Sequence, residues 1–299
     1  METAGMRNTP ATSRAGQNGA YALAARTEKE HHLNCTLIVG TAMRLVSLGS
    51  SFASGPGLKP YRNPQASRSK RNYPSIVAER LGADLVDLTS GGSTLLNITE
   101  SAQGTLSPQI EGIPSDADII TITSGGNDMA YVGQIMLDSV AASWLTWPLA
   151  LLLKRRVGNN NITESELLVR FRDVIAQIKR QAPKAMIILV EYLTLIGPDY
   201  RPGTDGPLDS QQAQAAQRRA AMLQRVYMEA TKDQDRCSVL PVADVSLQHG
   251  VGSKEPWVTG HGWEIILGGS VPWHPSALGM EKVADLLHRH IDRLVTERG

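Results

Sequence analysis

Five short apolar runs recur along this chain, Arg44 to Leu48, Asp84 to Leu88, Asp118 to Thr123, Ala185 to Val190 and Ser238 to Val242, each followed by loop chemistry or a helical pattern. Strands of that kind alternating with helices predict repeated strand-helix units and a parallel sheet. Apolar residues at helical spacing fill Pro74 to Leu81, Glu164 to Gln181, Ser210 to Thr231 and Ser276 to Val295. A parallel sheet receives its ligands at the carboxyl ends of its strands, where loops and helix N-termini converge. The residues that follow each apolar run therefore decide what the chain does.

Composition narrows the choice. The 299 residues, with 41% hydrophobic and 20% charged content, suit one α/β domain with extra loops. A net charge of +1 with scattered basic residues gives no footprint for nucleic acid. Cys35 and Cys237 are too few for a disulfide framework and lack metal-ligand spacing, so no metal site is expected. Residues 1–42 read as a polar extension and 43–299 as the folded domain. The extension has no apolar run behind a basic start, which predicts a cytoplasmic protein. Asn34, Asn97 and Asn161 match the glycosylation acceptor pattern, which acts only in a secretory compartment. The apolar stretch Trp144 to Leu153 is too short to span a bilayer and reads as a core helix, with a lid or acyl-binding wall as the alternative. The basic stretch Lys59 to Arg71 reads as a solvated loop, with recognition of an anionic substrate as the alternative.

Three loops and one histidine carry the chemistry. Ser51 follows the first run within Gly49-Ser50-Ser51-Phe52-Ala53-Ser54-Gly55, where a strand-to-helix turn exposes a side chain at the sheet edge. Taken alone, these serines are caps and turn residues. Ser90-Gly91-Gly92-Ser93-Thr94 follows the second run and Ser124-Gly125-Gly126-Asn127-Asp128 the third, so both fall at the same end of the sheet. A glycine N–H and an asparagine amide are suitable donors for a tetrahedral oxyanion. Of seven histidines, His274 precedes the last helical pattern, in Trp273-His274-Pro275, and falls on that same edge. A serine needs such a base to become nucleophilic.

The ordered set Gly49-Ser50-Ser51, Gly92, Gly126-Asn127-Asp128 and His274 resembles the SGNH (GDSL-type) hydrolase superfamily, from about Met43 to the end of the chain. The resemblance implies a flavodoxin-like α/β/α fold of three layers with a central five-stranded parallel sheet. It also implies Ser51 as nucleophile, His274 as base, and an oxyanion hole made by the Ser51 and Gly92 N–H groups and the Asn127 side chain. The implied reaction is cofactor-free hydrolysis of a small-molecule acyl ester through a serine acyl-enzyme.

Two positions depart from the family pattern. Its first-block aspartate is Ser50 here, and its Asp-x-x-His block reads Val271-Pro272-Trp273-His274, which removes the usual third member of the triad. Family usage then implies the Val271 main-chain carbonyl as the group that orients His274, giving a Ser–His dyad; an acid from elsewhere, Glu264 or Asp244, is the alternative. Trp144, Trp147, Trp257, Trp263 and Trp273 are candidate walls of an acyl pocket and equally candidate core or sugar-stacking residues. Deacetylation of a carbohydrate or specialised metabolite, thioester hydrolysis and acyl transfer use the same residues. A catalytically silent binding domain is the reading from outside enzymology.

Overall fold

The computed structural model describes residues 42–142, 148, 150, 162–260 and 271–297. Residues Met43–Gly299 form a compact unit of their own. Its centre is a sheet of β1 (Arg44–Gly49), β4 (Asp84–Asp87), β5 (Ile119–Thr123), β6 (Met186–Val190) and β7 (Cys237–Leu240), all parallel, in the order β4-β1-β5-β6-β7. The chain thus starts in β1, steps outward to β4, and returns past β1 to build β5, β6 and β7. That reversal leaves a crevice at the carboxyl ends of β1 and β5, the switch point where doubly wound sheets bind ligands.

Every residue of β5 and β6 is buried, as expected of strands covered on both faces. Helices α2 (Tyr73–Leu81) and α8 (Ala277–Thr296) pack against each other, and α5 (Glu164–Gln181) packs against α6 (Ser210–Thr231). The shorter helices are α1 (Ser51–Ser54), α3 (Leu95–Thr99), α4 (Tyr131–Ala141) and α7 (Val242–Val245). Helix α5 shows why the apolar spacing forms a helix here. A capping box at Thr163 and Glu166 satisfies its first N–H groups. Leu167, Phe171, Val174, Ile175 and Ile178 then recur on one buried stripe. The same cap chemistry opens α6 at Asp209 and Gln212.

The five strands coincide with the five apolar runs to within two residues. Val242, read as the end of the last run, instead opens α7 behind Pro241, which cannot donate to the ladder. The stretch Lys59 to Arg71, read as a solvated loop, contains a two-stranded antiparallel hairpin, β2 (Tyr61–Asn63) with β3 (Arg68–Ser69). Apart from Pro148 and Ala150, the apolar stretch Trp144 to Leu153 lies outside the described residues. No helix among the described residues is long and apolar enough to cross a membrane.

One glycine is decisive for the architecture. Gly49 has φ +125°, and a Cβ placed there would overlap the Thr123 carbonyl of the neighbouring strand. Gly82 also has a left-handed φ, +61°, but a Cβ there meets nothing within 4 Å. Gly82→Ala should cost about 1–2 kcal/mol in urea denaturation, the left-handed penalty alone. Gly49→Ala should cost clearly more than that or give no soluble protein; equal losses would show that the Gly49 contact does not constrain the fold.

Candidate active site

The sequence-predicted residues follow the carboxyl ends of β1, β4 and β5 and precede α8. Beyond Gly49 the chain is extended at Ser50, with φ −105°, and enters α1 at Ser51, leaving the helix through Gly55 in the left-handed region. Ser51 is buried, with 7% exposure. Ser50 is wholly enclosed. Its N–H donates to the Thr123 carbonyl at 2.8 Å, and its hydroxyl shares a 2.7 Å hydrogen bond with the Tyr192 hydroxyl. The same hydroxyl faces the Thr123 carbonyl at 3.3 Å. A carboxylate in that place would meet this carbonyl without water, so a hydroxyl suits the position where the family pattern has aspartate.

The two donor loops are joined to β1 and to each other. Gly92 has φ +80° and is exposed. Asn127 donates one N–H of its amide to the Ser93 carbonyl at 2.8 Å, which fixes the side chain and leaves its second N–H available. Among the described residues, the Ser51 and Gly92 backbone N–H groups have no hydrogen-bond partner. Three donors at one end of the sheet with spare hydrogens have the chemistry required for a developing oxyanion.

Two residues that tie this arrangement together carried no assigned role in the sequence reading. Gln109 is buried in a short 3-10 turn. Its Oε1 accepts the Gly49 N–H at 2.7 Å, and its Nε2 donates to the Gly49 carbonyl at 3.1 Å and to the Ser93 hydroxyl at 2.9 Å. It pairs with Gly49 as another strand would, and it holds the Gly92 loop to β1. A lone glutamine after Pro108 gives no sequence signal for this. Asp128 lies in the quoted Asn127 loop and links it to the helix that follows the Gly92 loop. Its carboxylate accepts the Leu95 N–H at the start of α3 and pairs with Arg170 at 2.9 Å. Burial raises its pKa, opposed by the Leu95 N–H and Arg170.

His274 is buried, with 7% exposure. Its ring lies 5.6 Å from the ring of Phe52, the residue after Ser51. Its Nδ1–H donates to the Pro272 carbonyl at 2.8 Å. The group expected here, the Val271 carbonyl, is instead taken by the Thr259 hydroxyl. Thr259 also donates its N–H to the His274 carbonyl at 2.8 Å and accepts the Trp273 N–H on its own carbonyl at 2.9 Å. Between them, Trp273 adopts φ +60°, unusual for a bulky residue. This left-handed step reverses the chain so that the imidazole returns onto Pro272, one residue nearer than expected. Of the alternative acids, Glu264 lies outside the described residues, and Asp244 hydrogen-bonds Gln224 rather than His274.

A carbonyl only accepts, so this contact assigns the proton to Nδ1 and leaves Nε2 with a lone pair. Burial lowers the His274 pKa, partly offset by the Pro272 hydrogen bond. The imidazole is therefore neutral at neutral pH, the form a base requires.

Against this geometry, the model of the GDSL-like lipase/acylhydrolase family matches residues 47–282. The chain belongs to that family. It is an ester-hydrolysing enzyme. Lipase 2 of Streptomyces coelicolor is 24% identical to this hydrolase over 256 residues, covering 80% of this chain and 83% of that protein. Among solved structures, phospholipase A1 from Streptomyces albidoflavus NA297 aligns with a TM-score of 0.65 and 20% identity. The extracellular lipase from Streptomyces rimosus aligns with a TM-score of 0.61, also at 20% identity. Each covers 83% of this chain and 99% of the other. At such identity these two likenesses establish the fold.

The tryptophans expected around the hydrolase's acyl pocket behave differently. Trp273 has no exposed surface, because its left-handed backbone turns the indole into the core. Trp257 is buried and stacks on His249 with ring centroids 4.0 Å apart. Both are packing residues. Trp144, Trp147 and Trp263 lie outside the described residues.

Gln109→Leu tests the tie between the loops. It leaves the buried N–H and carbonyl of Gly49 without this partner, at about 1–3 kcal/mol for each unsatisfied group. Urea denaturation should show a loss in that range, with ester hydrolysis falling further than the folded fraction accounts for. Unchanged stability and activity would remove Gln109 from the site's framework.

Proposed function

We propose that this hydrolase cleaves carboxylic acyl esters, lipid-like ones first, through a Ser51–His274 dyad in which the Pro272 carbonyl takes the place of a triad carboxylate. The observation that carries the reading is the bond from His274 Nδ1–H to Pro272, which leaves Nε2 free on the edge that also holds Ser51 and the Asn127 amide. His274 Nε2 removes the Ser51 proton as Oγ attacks the ester carbonyl. The Ser51 and Gly92 N–H groups and the Asn127 amide stabilise the tetrahedral oxyanion. The imidazolium then protonates the leaving alcohol, and an acyl-enzyme remains. Water, deprotonated by the same histidine, attacks that ester, and collapse of the second tetrahedral intermediate frees the acid and Ser51.

A carbonyl dipole fixes the imidazole tautomer as a carboxylate does, but it stabilises the imidazolium less because it carries no net charge. The dyad therefore relies more on its oxyanion donors. Lipid-like esters are favoured by the relatives, whose names are those of lipases and a phospholipase A1.

Fluorophosphonate labelling of wild type and Ser51→Ala, beside hydrolysis of a C2 to C16 acyl-ester series, tests the assignment. Labelling should disappear in Ser51→Ala, and hydrolysis should favour chains longer than acetyl. A profile confined to C2 would favour the O-deacetylase reading, and labelling that survives Ser51→Ala would reject the nucleophile. Asn127→Ala should lower kcat by about 10²–10³, as for an oxyanion-hole donor; a change confined to KM would reassign it to ground-state binding.

The pH dependence follows from the lowered His274 pKa. Only the neutral ring acts as a base, so the acidic limb of kcat/KM should fall below the ordinary histidine value of 6.5. A folded-state pKa below the unfolded one also means that the stabilisation from this group is complete above the unfolded pKa and is lost as pH falls through the folded one. An acidic limb lying above pH 7 would contradict the assignment of this buried ring as the base.

A further inference from the structure

A cavity of about 400 Å³ opens at the carboxyl end of β6, walled by residues 191–198, α6 and α7. That is the size of a small-molecule site. It borders the nucleophile loop through Tyr192. The Tyr192 ring lines the cavity, packs on Phe52 with centroids 4.2 Å apart, and shares its hydroxyl hydrogen bond with Ser50. It also fills the space beside Gly126, where a Cβ would lie 2.8 Å from the ring.

The lining has a definite chemistry. Among the described residues, Tyr192 gives it an aromatic wall, the enclosed Tyr131 and Tyr227 lie at its margin, Leu223 contributes apolar surface, and Glu191 and Asp244 are its two carboxyl groups. Among the described residues, no lysine, arginine or histidine lines it. Glu191 is 5% exposed. Its Oε2 accepts the Ala243 N–H at 3.1 Å, and the Gln224 side chain is a further donor to the carboxyl. Its burial pushes the carboxyl pKa up to about 7, with Asp244 adding repulsion and the Ala243 N–H and Gln224 opposing. A carboxyl group so placed gains most from an occupant that brings a positive charge, and tyrosine rings attract the same charge through their faces. Among the described lining residues, anionic occupants, free fatty acids included, meet two carboxyl groups and no cation.

We propose that this cavity is a second binding site of the enzyme, for an organic ammonium ion on an apolar body, lying beside the ester-cleaving residues and sharing Tyr192 with them. An occupant there touches the ring that holds Ser50, so it is placed to influence the geometry of the adjacent nucleophile. The site does not depend on the Ser51–His274 assignment.

Calorimetric titration at pH 8 with phenethylammonium and with 2-phenylethanol, a neutral compound of similar shape, tests it. The full-length enzyme should bind the cation about tenfold or more tighter than the alcohol. Glu191→Gln should abolish that preference, its amide oxygen still being able to accept the Ala243 N–H. Asp244→Asn, at an exposed position, should weaken the preference without abolishing it and serves if Glu191→Gln does not fold. Ser51→Ala should bind the cation as wild type does, whatever it does to hydrolysis. Equal affinity for the two compounds, no binding of either, a preference that survives Glu191→Gln or is untouched by Asp244→Asn, or binding lost in Ser51→Ala would each overturn the proposal.

Discussion

Where β1 ends beside β5, the two backbones approach so closely that Gly49 has no room for a side chain against Thr123. The Ser50 N–H then bonds the Thr123 carbonyl, and Ser51 begins its helix from that anchored point. The other site loops refer back to the same place. Ser90 donates its N–H to the Gly49 carbonyl, Gln109 binds both polar groups of Gly49 as well as Ser93, and Asn127 binds the Ser93 carbonyl. This chain of hydrogen bonds is short, so a shift at β1 is transmitted to the Ser51, Gly92 and Asn127 loops. Such supporting contacts hold reactive groups in productive geometry.

The histidine is held by a different device. Backbone shape sets a main-chain carbonyl, that of Pro272, against Nδ1 of His274. Trp273 sits in the left-handed region and is fully enclosed, and Thr259 engages Val271, Trp273 and His274. A non-glycine residue in that conformation costs on the order of 1–3 kcal/mol, a strain that packing of the indole offsets. The result is a carbonyl fixed at Nδ1 of a buried ring. Burial keeps the ring neutral until a proton is delivered to it.

Tyr192 connects the hydrolytic residues to the rest of the molecule. Its ring fits between Phe52 and Gly126, and its hydroxyl ends on Ser50. On the other side it faces the cavity that holds Glu191.

The sequence by itself determined the sheet, the two long helical pairs and the order of the loops at its carboxyl end. Apolar runs of strand length and stripes of helical spacing are local signals, fixed by which faces must leave water. It also marked Ser51, Gly92, Asn127 and His274, because their residue types and order match a family pattern. Only the tertiary structure decided which carbonyl faces His274, since a one-residue difference between Val271 and Pro272 depends on the left-handed turn at Trp273 and on Thr259. It likewise turned Trp257 and Trp273 into packing residues and gave Gln109 and Asp128 their positions. Those outcomes rest on contacts between residues far apart in the chain, such as Gln109 with Gly49, which no local periodicity encodes.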